Sequence, residues 1–356
     1  MGIFVIAEAG VNHNGDAKRA RQLVDAAADA GADAVKFQTF RADGVATAGA
    51  VKAAYQKRTT GAGETQLAML KRLELSHPLH RELLARCRRK GIKFLSTPFD
   101  LGSLRFLADE LCLDTIKIGS GEVTNGPFLL AAARTGRKII LSTGMSTLGE
   151  VKQALGVLAF GLVGSGQPSR PGFAEAFASA KGQKALRGKV TLLHCTTEYP
   201  APFTEVNLRA METMRRAFGL AIGLSDHTPG IAVPIAAVAL GARVIEKHFT
   251  LDRTLPGPDH KASLEPGELR AMIDGIRAVE AALGDGRKRP MPSELKNRDV
   301  ARRSLVALAP IAKGEAFTDE NLGAKRPGNG VSPMTYWDWI GRTADRARAE
   351  GSILRP

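Results

Sequence analysis

Eight short runs rich in β-branched and other apolar residues recur along the chain, at 3–8, 33–38, 92–97, 114–119, 138–143, 189–195, 220–225 and 242–248. Between them Ala, Leu and Val return at helical spacing over 17–30, 78–90, 102–112, 126–135, 147–159, 205–218 and 229–241, with a further such stretch at 266–283. Strands alternating with helices predict a parallel sheet covered by helices, and eight such units close into a (β/α)8 barrel of the α/β class. Asp16 precedes the first helical stretch, and Pro127, Pro229 and Pro266 stand near the openings of later ones, where helix-start signals belong.

Two segments interrupt this regularity. Residues 41–76 exceed a simple crossover, carry Gly-Ala-Gly at 61–63 before a further helix, and are expected to lie over the barrel mouth. Residues 160–187, with Gly161, Gly164, Gly166, Pro168 and Pro171, read as a surface insertion without chemistry of its own. The pattern then changes after the eighth helix. The expected layout is a barrel over 1–284, a linker rich in Gly, Pro and charge over 285–300, and a small cap over 301–356. Within the cap, RRSLVAL (302–308), the Lys313-Gly314 turn and KRPGNGVSP (325–333) predict short strands and turns.

Composition narrows the class. A chain of 356 residues that is 44% hydrophobic, with 38 glycines, suits a large α/β enzyme rather than a disordered or fibrous protein. No leader follows Met1 and no run of about 20 apolar residues occurs, so a cytoplasmic protein that does not engage membranes is expected. Cys87, Cys112 and Cys195 have no metal-ligand or CxxC spacing and read as reduced thiols. The net charge of +14 is spread over helix surfaces, with one short cluster at 287–289 and no nucleic-acid motif. A basic field of this kind attracts anionic substrates.

In a barrel the working residues sit at the C-terminal strand ends. Those ends supply Glu8, Lys36, Gln38, Thr97, Lys117, Ser120, Glu122, Ser142, Tyr199, Ser225, Asp226, His227 and His248. Lys36 and Lys117 lie inside apolar runs, VKFQ and TIKIGS, where an unpaired ammonium costs several kcal/mol to bury, roughly. With hydroxyls from Thr97, Ser120, Ser142 and Ser225 they outline a phosphate and carboxylate pocket, unless strand alternation turns one lysine to the surface. His227 and His248 end neighbouring strands and can approach one divalent ion; the bland alternative is two hydrogen-bonded structural histidines. Glu8 and Glu122 are candidate bases or sugar ligands. Asp259, in LPGPDHKAS, is either a sugar-side carboxylate or a turn residue.

Taken together, AEAGVNHNGD (7–16), VKFQTF (35–40), LSTPFD (95–100), IKIGSGE (116–122), LSTGM (141–145), GLSDHT (223–228), EKHFT (246–250) and PGPDHKAS (256–263) resemble the sialic acid synthase family nearly end to end. KRPGNGVSP is similar to that family's antifreeze-like (SAF) cap. The resemblance implies condensation of phosphoenolpyruvate with an N-acetylated amino sugar, aided by a divalent metal, usually manganese, with magnesium or cobalt as substitutes. It implies His227 and His248 as metal ligands, and Lys36, Thr97, Lys117, Ser120, Ser142 and Ser225 as phosphoenolpyruvate contacts. Glu122 becomes the carboxylate that manages water or a proton, and Glu8, Gln38, Tyr199 and Asp259 become sugar-side groups. Arg326 resembles an arginine that reaches the sugar from the partner subunit of a domain-swapped homodimer.

The first expectation for the sugar is N-acetylmannosamine, giving N-acetylneuraminate. Thr197 in HCTTEYP departs from the asparagine of some members with that activity, so the alternative is a legionaminic acid synthase acting on a 2,4-diacetamido-2,4,6-trideoxy sugar, with pseudaminic acid synthesis behind it. Two rivals lie further off. An octulosonate-type synthase needs a second phosphate site that the sequence does not show, and a carbohydrate- or ice-binding protein leaves the ring of Lys, Glu and His without a purpose.

Overall fold

A computed structural model describes residues 2–61, 63–164 and 166–356. Ala62 of the Gly-Ala-Gly segment lies outside the described residues. Two compact units divide at Leu283 and Gly284.

In the first unit eight parallel strands alternate with helices, and the order of elements follows the expected one. After β1 (Phe4–Gly10) comes α1 (Ala17–Asp29), and after β2 (Ala34–Thr39) come α2 (Ala42–Val45), α3 (Ala54–Thr60), α4 (Gln66–Leu73) and α5 (His77–Lys90). Next are β3 (Lys93–Pro98), α6 (Leu101–Arg105), which runs on as a wider turn to Glu110, β4 (Thr115–Ile118), α7 (Gly126–Arg134) and β5 (Lys138–Ser142). Three helices follow, α8 (Leu148–Val163), α9 (Arg170–Ala178) and α10 (Ala180–Lys189). The unit ends with β6 (Val190–Cys195), α11 (Ala210–Phe218), β7 (Ala221–Asp226), α12 (Ala232–Ala239), β8 (Val244–His248) and α13 (Pro266–Ala282).

The ladder runs β3-β2-β1-β8-β7-β6-β5-β4, so β1 pairs with β8 and the sheet curls on itself, while β3 and β4 lie side by side at the remaining seam. Caps fix the helix starts. Asp16 accepts from the Lys18 and Arg19 amides, and Thr147 with Glu150 forms a reciprocal box at the start of α8. Residues 160–187, read as a surface insertion, are largely helical. Ser169 and Ser179 cap α9 and α10, and Phe173 meets Phe160 edge-on at 5.3 Å, which binds α9 to α8.

Strand alternation sorts the barrel interior into layers. Ile6, Ala34, Leu95, Ile140, Leu193 and Val244 form one apolar cluster from six strands. Two residues further along the same strands stand Glu8, Lys36, Thr97, Ser142, Cys195 and Glu246. One step of the pleat therefore carries the interior from hydrocarbon to ionisable chemistry.

The second unit contains α14 (Pro292–Ala301), then β9 (Ser304–Ala307) paired antiparallel with β10 (Leu322–Lys325), and a short α15 (Tyr336–Trp339). Leu305, Ala307, Ile311, Phe317, Leu322 and Leu354 form its own core. Much of the stretch read as a linker is therefore helical, with Pro292 in the first turn and the Glu294 carboxylate accepting from the Met291 amide. Among the described residues, no helix is long and apolar enough to cross a membrane.

Candidate active site

A cavity of about 320 Å³ opens at the C-terminal ends of the barrel strands. Its floor is a buried charge cluster in which Glu8, Lys36, Lys117 and Glu246 are each at most 4% exposed. Lys36 Nζ lies 2.6 Å from Glu8 Oε2 and 3.7 Å from Glu246 Oε2, and donates to Thr97 Oγ1 at 2.8 Å. Lys117 Nζ donates to Ser142 Oγ at 2.8 Å and lies 3.5 Å from Glu246 Oε1, which also accepts from Ser225 Oγ at 2.8 Å. Both lysines therefore point inward, and the reading that turned one of them to the surface does not hold.

These charges set one another. Burial, helped by the neighbouring Glu246 charge and opposed by Lys36, raises the Glu8 carboxyl to about 7. Burial pushes Glu246 the same way, but Lys117, Lys36 and the Ser225 hydroxyl overcome it and hold that carboxyl at about 2. At neutral pH the floor thus keeps one firm negative charge between two ammonium groups, plus a carboxyl close to its midpoint. A small dianion entering here meets cationic and hydroxyl donors already held in place.

On the β7–β8 side of the cavity the His227 and His248 rings stand 5.6 Å apart, with the Tyr199 ring 4.1 Å from the first and 5.5 Å from the second. His227 Nδ1 donates to the Thr196 carbonyl at 2.6 Å, so the neutral ring carries its lone pair on Nε2; burial favours that form, while Cys195, the Thr196 carbonyl and Asp226 outweigh it and raise the imidazole above its usual range. His248 Nδ1 is buried without a hydrogen-bond partner and lies 4.0 Å from Asp259 Oδ2. Burial, reinforced by His227, holds the His248 imidazole well below its usual range, so it is neutral. An oriented lone pair and an orphaned buried nitrogen on adjacent strands fit a divalent cation. Among the described residues no three His, Cys, Asp or Glu side chains close into a ready-made metal site, so substrate oxygen or water completes any coordination shell.

The loop carrying Asp259 is clasped from β1. Asn12 Nδ2 donates to Phe249 O at 2.8 Å and to Ser263 Oγ at 2.9 Å, and Ser263 Oγ donates in turn to the Asp259 carbonyl at 2.6 Å. Burial raises the Asp259 carboxyl to about 6. Gly144 permits another close approach. Its amide donates to Ser120 Oγ at 2.9 Å, and a Cβ there would stand 2.2 Å from Thr197 Oγ1 and 2.9 Å from Cys195 Sγ.

Of the fourteen residues expected from sequence, the cavity brings together Glu8, Lys36, Gln38, Thr97, Lys117 and Ser120 from the first half of the barrel, and Ser142, Tyr199, Ser225, His227, His248 and Asp259 from the second. Glu122 shares a tight turn with Ser120 but does not line the cavity, because its Oε2 accepts from Asn125 Nδ2 at 2.6 Å. Arg326 belongs to the second unit, where its Nε donates to the Ala301 carbonyl. Asp226, counted in the strand-end ring, faces the opposite way and pairs with Lys247 behind the strands. Sequence reasoning missed Glu246 and Cys195. Glu246 carried the signal already applied to the lysines, an ionisable residue inside an apolar strand.

A closed βα barrel with an anion pocket beside two imidazoles is the frame of an enzyme acting on a small anionic substrate, and comparison with known proteins narrows the class. Residues 23–288 match the NeuB family, and residues 302–356 match the SAF domain. A protein named N,N'-diacetyllegionaminic acid synthase from Campylobacter jejuni is 50% identical over 99% of this chain and 98% of its own. One of the same name from Legionella pneumophila is 43% identical over 99% and 94%. The crystal structure of an N-acetylneuraminic acid synthetase from Leptospira borgpetersenii is 32% identical, with a TM-score of 0.67 over 83% of this chain and 90% of that one. The chain belongs to the NeuB family of nonulosonic acid synthases, whose substrates are phosphoenolpyruvate and an acetylated amino sugar. The sialic-acid-type resemblance read from the motifs thus stands, with the sugar left to decide.

Proposed function

We propose that this protein condenses phosphoenolpyruvate with 2,4-diacetamido-2,4,6-trideoxymannose and water to give N,N'-diacetyllegionaminic acid and phosphate. The first expectation, N-acetylmannosamine, gives way to its alternative because the relatives named above at 50% and 43% identity carry the legionaminic name. The observation that carries the reading is the pairing of the Lys36 and Lys117 floor with the His227 and His248 wall in one cavity. Lys36 and Lys117 are also the only ammonium or guanidinium groups among the described lining residues, so the cavity holds one phosphate group and not the second that a phosphorylated sugar brings.

Phosphoenolpyruvate is held by Lys36, Lys117 and the hydroxyls of Thr97, Ser120, Ser142 and Ser225, with its methylene carbon facing the sugar aldehyde. That carbon forms the new bond to the aldehyde carbon, whose oxygen takes a proton and becomes a hydroxyl. Water adds at the former enol carbon and gives up its proton. The tetrahedral carbon then expels phosphate by breaking its bond to the bridging oxygen, and the hydroxyl derived from water passes its remaining proton to the departing phosphate as the keto group forms. Glu8 near its midpoint is suited to carry a proton within reach of Lys36, while Gln38, Tyr199 and Asp259 hold sugar hydroxyls and amides. A divalent cation, manganese in our proposal, bound by His227 and His248 would supply Lewis-acid polarisation of the aldehyde oxygen. Glu122, in the same turn as Ser120 and accepting from Asn125, keeps the role of handling water or a proton that the resemblance implies. From the family resemblance we also propose a homodimer in which Arg326 reaches the partner's sugar.

The test is phosphate release from phosphoenolpyruvate with the diacetamido-trideoxy sugar, N-acetylmannosamine and a 6-phosphorylated sugar, each with manganese and with chelator. Release that is fastest with the first sugar and lost on chelation is expected. Preference for N-acetylmannosamine would restore the earlier expectation, and preference for the phosphosugar would overturn the single-phosphate argument.

A further inference from the structure

The wall of the cavity along β1–β3 is mainly hydrocarbon, interrupted by the amides of Gln38, Gln56 and Gln66. Helix α4 packs Met69 and Leu73 against Val11 and Phe40, just past the ends of β1 and β2, with Leu70 and Phe99 on the margin of that cluster. All six residues also line the cavity. The helix is braced in place, since Thr65 caps it, Lys71 pairs with Asp43 at 3.1 Å, and Glu74 accepts from the Ala42 amide at 2.6 Å. Met69 is 1% exposed, so the wall is a packed surface rather than a loose flap.

A hydroxyl-rich sugar gains little from such a wall. Hydroxyls pressed against the patch formed by Leu70, Met69 and Phe99, away from those amides, lose water without gaining a partner, whereas a methyl group gains from leaving water. Because the aldehyde end is committed to the imidazole pair and the phosphate to the lysine floor, the far end of the six-carbon chain is left to the β1–β3 side.

We infer that α4, chiefly through Leu70, is a specificity element that reads the deoxygenated C6 end of the sugar and disfavours its 6-hydroxylated counterpart. This rests on the condensation reading above and adds to it which residues select the sugar. A hydrocarbon pocket of this kind separates substrates differing by one small group by roughly 10–100-fold.

The experiment measures kcat/KM for 2,4-diacetamido-2,4,6-trideoxymannose and for the same sugar bearing a 6-hydroxyl, at saturating phosphoenolpyruvate, in the wild type and in Leu70→Asn, Leu70→Ala and Leu70→Met. The wild type is expected to prefer the deoxy sugar by at least tenfold. Leu70→Asn should lower that ratio by about tenfold, Leu70→Met should restore it, and KM for phosphoenolpyruvate should stay within about twofold throughout. Should Leu70→Asn fail to fold, Leu70→Ala carries the test, because it deletes the hydrocarbon contact without adding a polar group. An unchanged ratio in Leu70→Asn, or in Leu70→Ala where Leu70→Asn does not fold, or no preference in the wild type, overturns the inference while leaving the condensation intact. No phosphate release from either sugar overturns the condensation and this inference with it.

Discussion

Lys247→Met offers a direct test of how the β7 end is held. Lys247 and Asp226 have side chains 0% and 1% exposed, and their ion pair closes at 2.5 Å behind the strand ends. Lys247 also donates to the Thr228 carbonyl, and Asp226 accepts from the Thr228 amide at 3.1 Å and hydroxyl at 3.0 Å. Burial pulls the Lys247 ammonium below its usual range, and Asp226 opposes that. Methionine preserves most of the volume but leaves a buried carboxylate without its cation and a carbonyl without its donor. Breaking such a pair costs about 3–5 kcal/mol. For the barrel unit, Met1–Leu283, that lowers the melting temperature by roughly 5–8 °C. Thermal and urea unfolding of the full chain measure the loss. The double variant Lys247→Met with Asp226→Asn removes both charges and should recover about half of it. A single variant melting within 2 °C of wild type, on the order of measurement scatter, or a double variant less stable than the single one, would refute the claim that the pair is an interdependent charge couple.

Other predictions follow from the floor, the imidazoles and the clasp. Glu8 has a folded-state value raised above its unfolded one, so the folded protein binds the extra proton and stability falls as pH rises from about 4.5 to 7, by up to about 1.4 kcal/mol per unit. Glu8→Gln should flatten that slope in urea titrations at several pH values, and an unaltered slope would contradict the assignment. Glu246 has a depressed value, so its contribution is full above about 4.5 and is lost as pH falls towards 2, and Glu246→Gln should remove that acid-side decline. His227→Ala and His248→Ala should each weaken manganese binding at least about tenfold by calorimetry while leaving the circular dichroism spectrum unchanged. Asn12→Ala should raise the sugar KM more than the phosphoenolpyruvate KM, because the Asp259 loop alone loses its clasp; equal rises would argue against it.

Periodicity made the barrel legible because each strand end and helix start is announced locally, by β-branched runs and by caps such as Asp16. Most cavity residues were legible for a related reason. Once the strands are placed, alternation with a period of two selects the inward positions, and an ionisable residue at such a position stands out against its neighbours. Glu246 meets the same criterion, an ionisable side chain at an inward position of an apolar strand. What the sequence could not show was direction across a one-residue offset. Asp226 and Ser225 are consecutive, yet one serves the cavity and the other an ion pair behind it. The apolar wall was hidden too, because α4 reaches the cavity by tertiary packing on Val11 and Phe40, which no local pattern records.

The charge cluster also explains why two lysines can be kept ready for an anion without unfolding the barrel. An empty pocket with two buried ammonium groups and no counter-charge would expel their protons, and its affinity for phosphoenolpyruvate would fall accordingly. Glu246 opposes this by standing 3.7 Å from Lys36 and 3.5 Å from Lys117, with Ser225 holding its Oε1; Lys36 is raised above its usual range, while burial still holds Lys117 below it. Glu8 adds the adjustable part. Its carboxyl, near 7 in the empty site, is the group an incoming dianion repels most easily into the neutral form, so substrate binding near neutral pH should draw a proton from solution. Calorimetry of phosphoenolpyruvate binding in buffers of different ionisation enthalpy measures that uptake. Approaching one proton at pH 8 and falling towards zero at pH 5, it would mark Glu8 as the balancing charge, whereas uptake that persists in Glu8→Gln would assign that role to another group.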